Sequence, residues 1–135
     1  MYLHSTEVRD LLVLILSKFK IHVAAFTLSE FLAYIYYKYQ DYSILDKAMK
    51  MLHDLYVVET IDKEVVIRAS LIIADLVTHG NEFNIVDVYN VSIATLRNLP
   101  ILTDDPMRYY NYVKYNVSTI SIEEFIDQFR KSIKA

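Results

Sequence analysis

Apolar positions along the chain switch between helical spacing and short β-type runs. Residues 6–20 predict a helix, and its stretch Leu11-Leu12-Val13-Leu14-Ile15-Leu16 is apolar all round, the signature of a helix covered on most sides by core or by a partner. Ile21-His22-Val23-Ala24-Ala25-Phe26 predicts a buried strand. Thr27 and Glu30, three apart, stand at the head of a helix over 28–39, and Ser43 with Asp46 opens another that ends near Leu55. Tyr56-Val57-Val58-Glu59 is a strand; Asp62 caps a helix to His79, with Gly80 as its stop. Asn84 or Asn81 starts a helix that carries Asp87 near its head and runs to Arg97. Pro100-Ile101-Leu102-Thr103 is a short strand, Asp104-Asp105-Pro106 turns the chain into a further helix, and Val117-Ser118-Thr119-Ile120 is the last strand. Ser121 and Glu124 make a capping box for a closing amphipathic helix.

Strands separated by helices of this length need crossover connections, which give a parallel sheet with helices on both faces. The expected class is α/β, a three-layer α/β/α arrangement around a central parallel sheet. No Ser/Gly/Pro-rich stretch, repeat or low-complexity segment divides the 135 residues, so residues 1–135 are read as a single domain. In such sheets ligands gather beyond the carboxyl ends of the strands, where helices begin.

Composition narrows the chemistry. With no cysteine, disulfides and thiolate metal sites are excluded. One glycine leaves no material for the Gly-rich phosphate cradles of the Walker or dinucleotide type. A formal charge of −3 is the wrong sign for gripping duplex DNA through its phosphates, so any nucleic-acid contact must be local. The longest aliphatic run, Leu11 to Leu16, is far short of the roughly 20 residues of a bilayer crossing. A soluble, cytoplasmic protein without membrane contact is expected, the more so because no charged-then-apolar leader precedes the first helix.

Three acids fall at strand–helix junctions: Glu30, Asp87 and Asp105, with Asp104 beside the last. Junctions of one parallel sheet can converge, and ionised carboxylates brought together repel unless a cation neutralises them. Oxygen ligands without Cys or paired His favour Mg²⁺ or Mn²⁺ over zinc, and such ions serve phosphate chemistry. Each acid also has a purely local reading. Glu30 can be the N3 partner of Thr27, Asp87 a first-turn acid opposing the helix dipole, and Asp105 the N-cap before Pro106.

The segment from Asp87 through Val88-Tyr89-Asn90-Val91-Ser92-Ile93-Ala94-Thr95-Leu96-Arg97-Asn98-Leu99-Pro100-Ile101-Leu102-Thr103-Asp104 to Asp105 resembles the C-terminal half of PIN-domain proteins, a family that includes the VapC ribonucleases of toxin–antitoxin systems. There an Asp opens a helix of small and apolar residues, and a strand then ends in Thr or Ser, one variable residue and a second Asp. The 18 positions from Asp87 to Asp105 match the family spacing. Phe26-Thr27-Leu28-Ser29-Glu30-Phe31-Leu32 resembles the family's strand-to-helix motif, and the likeness spans about residues 8 to 120. The resemblance implies that Glu30, Asp87 and Asp105 are metal-coordinating and catalytic acids, that Asp104 is an auxiliary catalytic acid, and that the Thr103 hydroxyl lines the site. It further implies a Mg²⁺- or Mn²⁺-dependent ribonuclease acting on RNA, an antitoxin partner and a homodimer. One position departs from the family. Its first acid follows an N-terminal strand, whereas here His4-Ser5-Thr6 follows Met1-Tyr2-Leu3, so either His4 replaces the acid or the N-terminal strand is short or absent. Imidazole is a poorer ligand than carboxylate for a hard cation.

Two alternatives stand beside the ribonuclease. One keeps the fold but drops catalysis, leaving a protein-binding or dimerisation module. The other is an unrelated doubly wound domain whose acids are all helix caps. Tyrosines cluster at 34, 36, 37, 39 and 42 and again at 109, 110, 112 and 115; they read as core or partner surface, with stacking on unpaired bases as the rival use. Lys38, Arg97, Arg108 and Lys114 read as solvated charges in reach of phosphates, and Met49, Met51 and Leu52 as core. His4, His22, His53 and His79 have no paired-ligand spacing.

Overall fold

The computed structural model describes residues 5–134, which form six α-helices, one 3₁₀ helix and four short strands. They divide into two compact units, residues 1–60 and 61–135. The expected strand and acid counterpart at Met1 to His4 lie outside the described residues.

In the first unit, α1 (Ser5–Lys18) precedes β1 (His22–Ala24), α2 (Ala25–Tyr39), α3 (Tyr42–Leu55) and β2 (Val57–Glu59). β1 and β2 pair in parallel with His22 opposite Val57 and Ala24 opposite Glu59, and α2 and α3 form the crossover. The strand expected to reach Phe26 stops at Ala24, because the helix formers behind it start winding at Ala25. Ala24 is therefore the N-cap, with no side-chain bond, and the anticipated Thr27–Glu30 cap does not exist: both residues lie inside α2. Gln40, in the left-handed conformation at φ 54°, ends α2 and returns its N–H to the Tyr36 carbonyl. Asp41, rather than Ser43, caps α3, accepting from the Ser43 N–H at 2.9 Å. Ile15, Ala24, Leu28, Ala48 and Leu52 are buried. Leu12, Val13 and Leu14 are exposed, so α1 is covered on one side only, and Met51, expected in the core, faces outward.

The second unit holds α4 (Lys63–Thr78), α5 (Ile85–Arg97), β3 (Ile101–Thr103), the 3₁₀ helix α6 (Pro106–Tyr115), β4 (Thr119–Ser121) and α7 (Ile122–Lys134). Asp62 caps α4 by accepting from the Val65 N–H at 3.0 Å, and Gly80, at φ 71°, ends the segment as expected. Val65, Ala69, Ile72 and Leu76 recur every three or four residues and turn one face of α4 inward. That face packs on α5, whose Val88, Val91 and Ala94 join Ala69, Ile72, Leu76, Tyr109, Tyr112 and Val117 in one core. Ser92 is fully buried there because its hydroxyl donates to the Val88 carbonyl at 2.7 Å. Asn84 caps α5 by accepting from the N–H groups of Val86 and Asp87. β3 and β4 are parallel, Ile101 opposite Thr119 and Thr103 opposite Ser121, and Ser121 caps α7 through the Glu124 N–H.

The α/β class is thus observed, with every strand pair parallel and every crossover helical. Instead of one central sheet, the described residues contain a two-stranded sheet in each unit. All four strands are only three residues long, so helix packing rather than sheet pairing supplies most of the burial.

Outside this core, Asp75 of α4 anchors the end of α6: Lys114 Nζ lies 2.8 Å from its Oδ2, and the Tyr115 hydroxyl donates to the same oxygen. The bonds from Lys114 and Tyr115 hold the Asp75 carboxyl below its ordinary value of 3.8. Its contribution to stability is therefore complete above that value and disappears as pH falls through the depressed one. In urea titrations, Asp75→Asn should lower the midpoint at neutral pH, and the gap to the parent should close below about pH 4. Leu76→Ala, which empties a site only 1% exposed, should cost about 3 kcal/mol in the same assay at every pH.

Candidate functional site

Asp87 is the third residue of α5, one turn past its Asn84 cap. That position is the one expected of an acid opposing the helix dipole, and Asp87 is in addition only 6% exposed. A carboxylate so placed demands a positive partner. It finds one in Arg108, whose Nε donates to Oδ1 at 2.6 Å. Arg108 and Lys114 are solvent-exposed, as expected, and each is in addition ion-paired, Arg108 with Asp87 and Lys114 with Asp75. Burial disfavours the Arg108 charge, but the field and hydrogen bond of Asp87, with help from Asp105, lift its pKa above the ordinary arginine value.

Arg108 is aimed at Asp87 by its neighbours on α6. Tyr109 and Tyr112 are buried in the core, with their rings 6.2 Å apart and tilted, and the Asn90 side chain donates to the Tyr109 hydroxyl at 3.2 Å. Burial raises the pKa of both phenols and keeps them neutral. The second tyrosine cluster is therefore divided between core (109, 112) and surface (110), whereas Tyr34, Tyr36, Tyr37, Tyr39 and Tyr42 of the first are all exposed.

Asp105 precedes α6 but its side chain makes no cap bond. Its own N–H donates to Thr103 Oγ1 at 3.1 Å, so the Thr-x-Asp sequence closes into a hydroxyl-stabilised turn at the carboxyl end of β3. Asp104 and Asp105 are exposed there. Glu30, in the first unit, is exposed in the second turn of α2 and caps nothing. Glu30 and Asp105 thus do not perform the capping tasks that sequence position offered them, whereas Asp87 does lie in the first turn of its helix. Asp87 and Asp105 share the field of one guanidinium. Among the described residues, no group of three or more His, Asp and Glu side chains is placed to hold a metal ion. Within the second unit, Asp87 and Asp105 offer carboxylate oxygen, the donor type that suits a hard ion such as Mg²⁺ or Mn²⁺, and buried Asp87 already carries a cationic partner.

Glu59, which sequence reading treated only as a strand residue, is the other buried acid of note. It is 7% exposed at the end of β2, and His22 Nδ1 lies 2.8 Å from its Oε1. Alternation along a three-residue strand gives too little pattern to reveal it. The Arg108 contact was equally hidden, because 21 positions separate it from Asp87 and no motif links them.

No family model matches the chain. A curated protein named VapC ribonuclease, from Pyrococcus furiosus, is 25% identical over 126 residues, covering 93% of this chain and 83% of the relative. Among solved structures, a chain of VapBC-1 from nontypeable Haemophilus influenzae superposes with a TM-score of 0.65 at 13% identity, covering 86% of this chain and 88% of its own. A chain of VapBC2 from Rickettsia felis, solved bound to a DNA fragment from the promoter, gives 0.60 at 13% identity, with coverages of 87% and 86%. No described helix is long and apolar enough to cross a membrane. The motif around Asp87 and Asp105, the sequence relative and the fold agree: the chain is a PIN-like, VapC-like α/β protein.

Proposed function

We propose that residues 1–135 act as a PIN-like ribonuclease of the toxin–antitoxin type, hydrolysing phosphodiester bonds of RNA with Mg²⁺ or Mn²⁺ held by carboxylates that include Asp87 and Asp105. The observation that carries this reading is that Asp87 is buried and ion-paired with Arg108, an arrangement a dipole-opposing acid does not need. The likeness to a protein named VapC ribonuclease supports the same chemistry, and the likeness to VapBC complexes supports an antitoxin partner.

A divalent ion held at these carboxylates would polarise the scissile phosphate and lower the pKa of an attacking water. The chain's own groups do the rest. Asp87 is fixed by the first turn of α5 and offers a carboxylate with little freedom to lose on binding. Thr103 holds the backbone of Asp105 in its turn, which presents that acid and Asp104 together at the strand end. Asp104, exposed beside them, orients the attacking water. The exposed tyrosines of α2 and the apolar side chains of α1 supply surface for the antitoxin and for a homodimer.

The rival reading, a non-catalytic binding module, draws on Arg108 standing where a cation is wanted. Cleavage of labelled single-stranded RNA separates the two. The expected result is Mn²⁺-dependent cleavage that Asp87→Asn reduces about a hundredfold or more. Cleavage unaffected by that substitution, or by chelation of the metal, would reject the assignment.

A further inference from the structure

We propose that Arg108 is the built-in counter-ion of Asp87, and that a divalent ion gains this carboxylate only by displacing the guanidinium. The proposal rests on the reading of Asp87 as a metal acid. Its geometric basis is the 2.6 Å contact between Arg108 Nε and Asp87 Oδ1, with the carboxylate side chain 8% exposed and the arginine side chain 48% exposed. The two partners are thus unequally free. Asp87 is fixed within the core-facing turn of α5, whereas about half of the Arg108 side chain lies in solvent, although its backbone is held by its own N–H to the Asp105 carbonyl, by buried Tyr109 and Tyr112, and by the Asp75 contacts at the end of α6. The side chain can swing outward while α6 stays seated.

Charge makes the exchange competitive. A guanidinium and a divalent ion bound to one carboxylate would sit within a few ångströms of each other, where like charges repel strongly in a partly buried setting. Removing either cation without replacement would leave Asp87 buried and uncompensated. Asp105 belongs to the same balance, since its field also favours the charged arginine. A salt bridge with a purely structural role would behave differently: its loss would weaken the fold and leave metal affinity untouched.

Mn²⁺ binding measured by calorimetry and by water-proton relaxation separates these cases, using the full chain and its Arg108→Gln, Asp87→Asn and doubly substituted forms. Arg108→Gln should bind Mn²⁺ about tenfold or more tightly, the scale of a charge-assisted hydrogen bond that no longer competes. Adding Asp87→Asn should abolish the gain, and Mn²⁺ should raise the melting temperature of Arg108→Gln more than that of the parent. Arg108→Lys, which keeps the charge but not the planar donor, should fall between them and serves if the glutamine form does not fold. Equal Mn²⁺ affinity in the parent and Arg108→Gln, with Asp87→Asn still abolishing binding, overturns the counter-ion proposal and leaves the metal reading standing. Absence of saturable Mn²⁺ binding in every form overturns both.

Discussion

A buried negative charge sets the terms for the second half of this molecule. Asp87 lies at the head of α5, where the helix packs on α4 and α6 crosses it, and its carboxylate is nearly removed from solvent. Such a group must be matched by a cation or lose its charge. In this chain the match is Arg108. Much of the surrounding architecture serves that pairing: the Asn84 cap fixes where α5 begins, and the paired rings of Tyr109 and Tyr112 fix where α6 lies. The candidate site is therefore continuous with the core, and its chemistry and stability cannot be varied independently.

The helices of the second unit were legible because their signals are local. Asp62, Asn84, Ser121 and Gly80 each act through atoms within a few residues, and each does in the structure what its residue type favours. The first unit was less legible at its junctions. Ala24 starts α2 with no side-chain signal at all, so the neighbouring Thr27 attracted an assignment that belongs two residues into the helix. Strands of three residues give alternation almost nothing to work with, which also explains why the paired acid Glu59 escaped notice.

The site was legible in its acids and illegible in its base. Asp87 and Asp105 stood out by their spacing and by the flanking helix and strand, and the turn at Thr103 follows from the same short motif. Arg108 differs from the other basic residues only in three dimensions. No property of the amino-acid order distinguishes it from Lys38 or Arg97, because its importance comes from the crossing of α6 over α5. Long-range ion pairs are in general invisible to pattern reading for this reason.

The form of α6 carries a consequence for how that crossing is maintained. Ten residues of 3₁₀ geometry are unusually many, since the tighter winding strains its hydrogen bonds and runs beyond three or four residues are seldom stable by themselves. The segment bearing Arg108 consequently owes its shape less to its own backbone than to the aromatic rings it sinks into the core. It behaves as a splint, sunk into the core at Tyr109 and Tyr112 and tied to α4 at its far end through Lys114 and Tyr115.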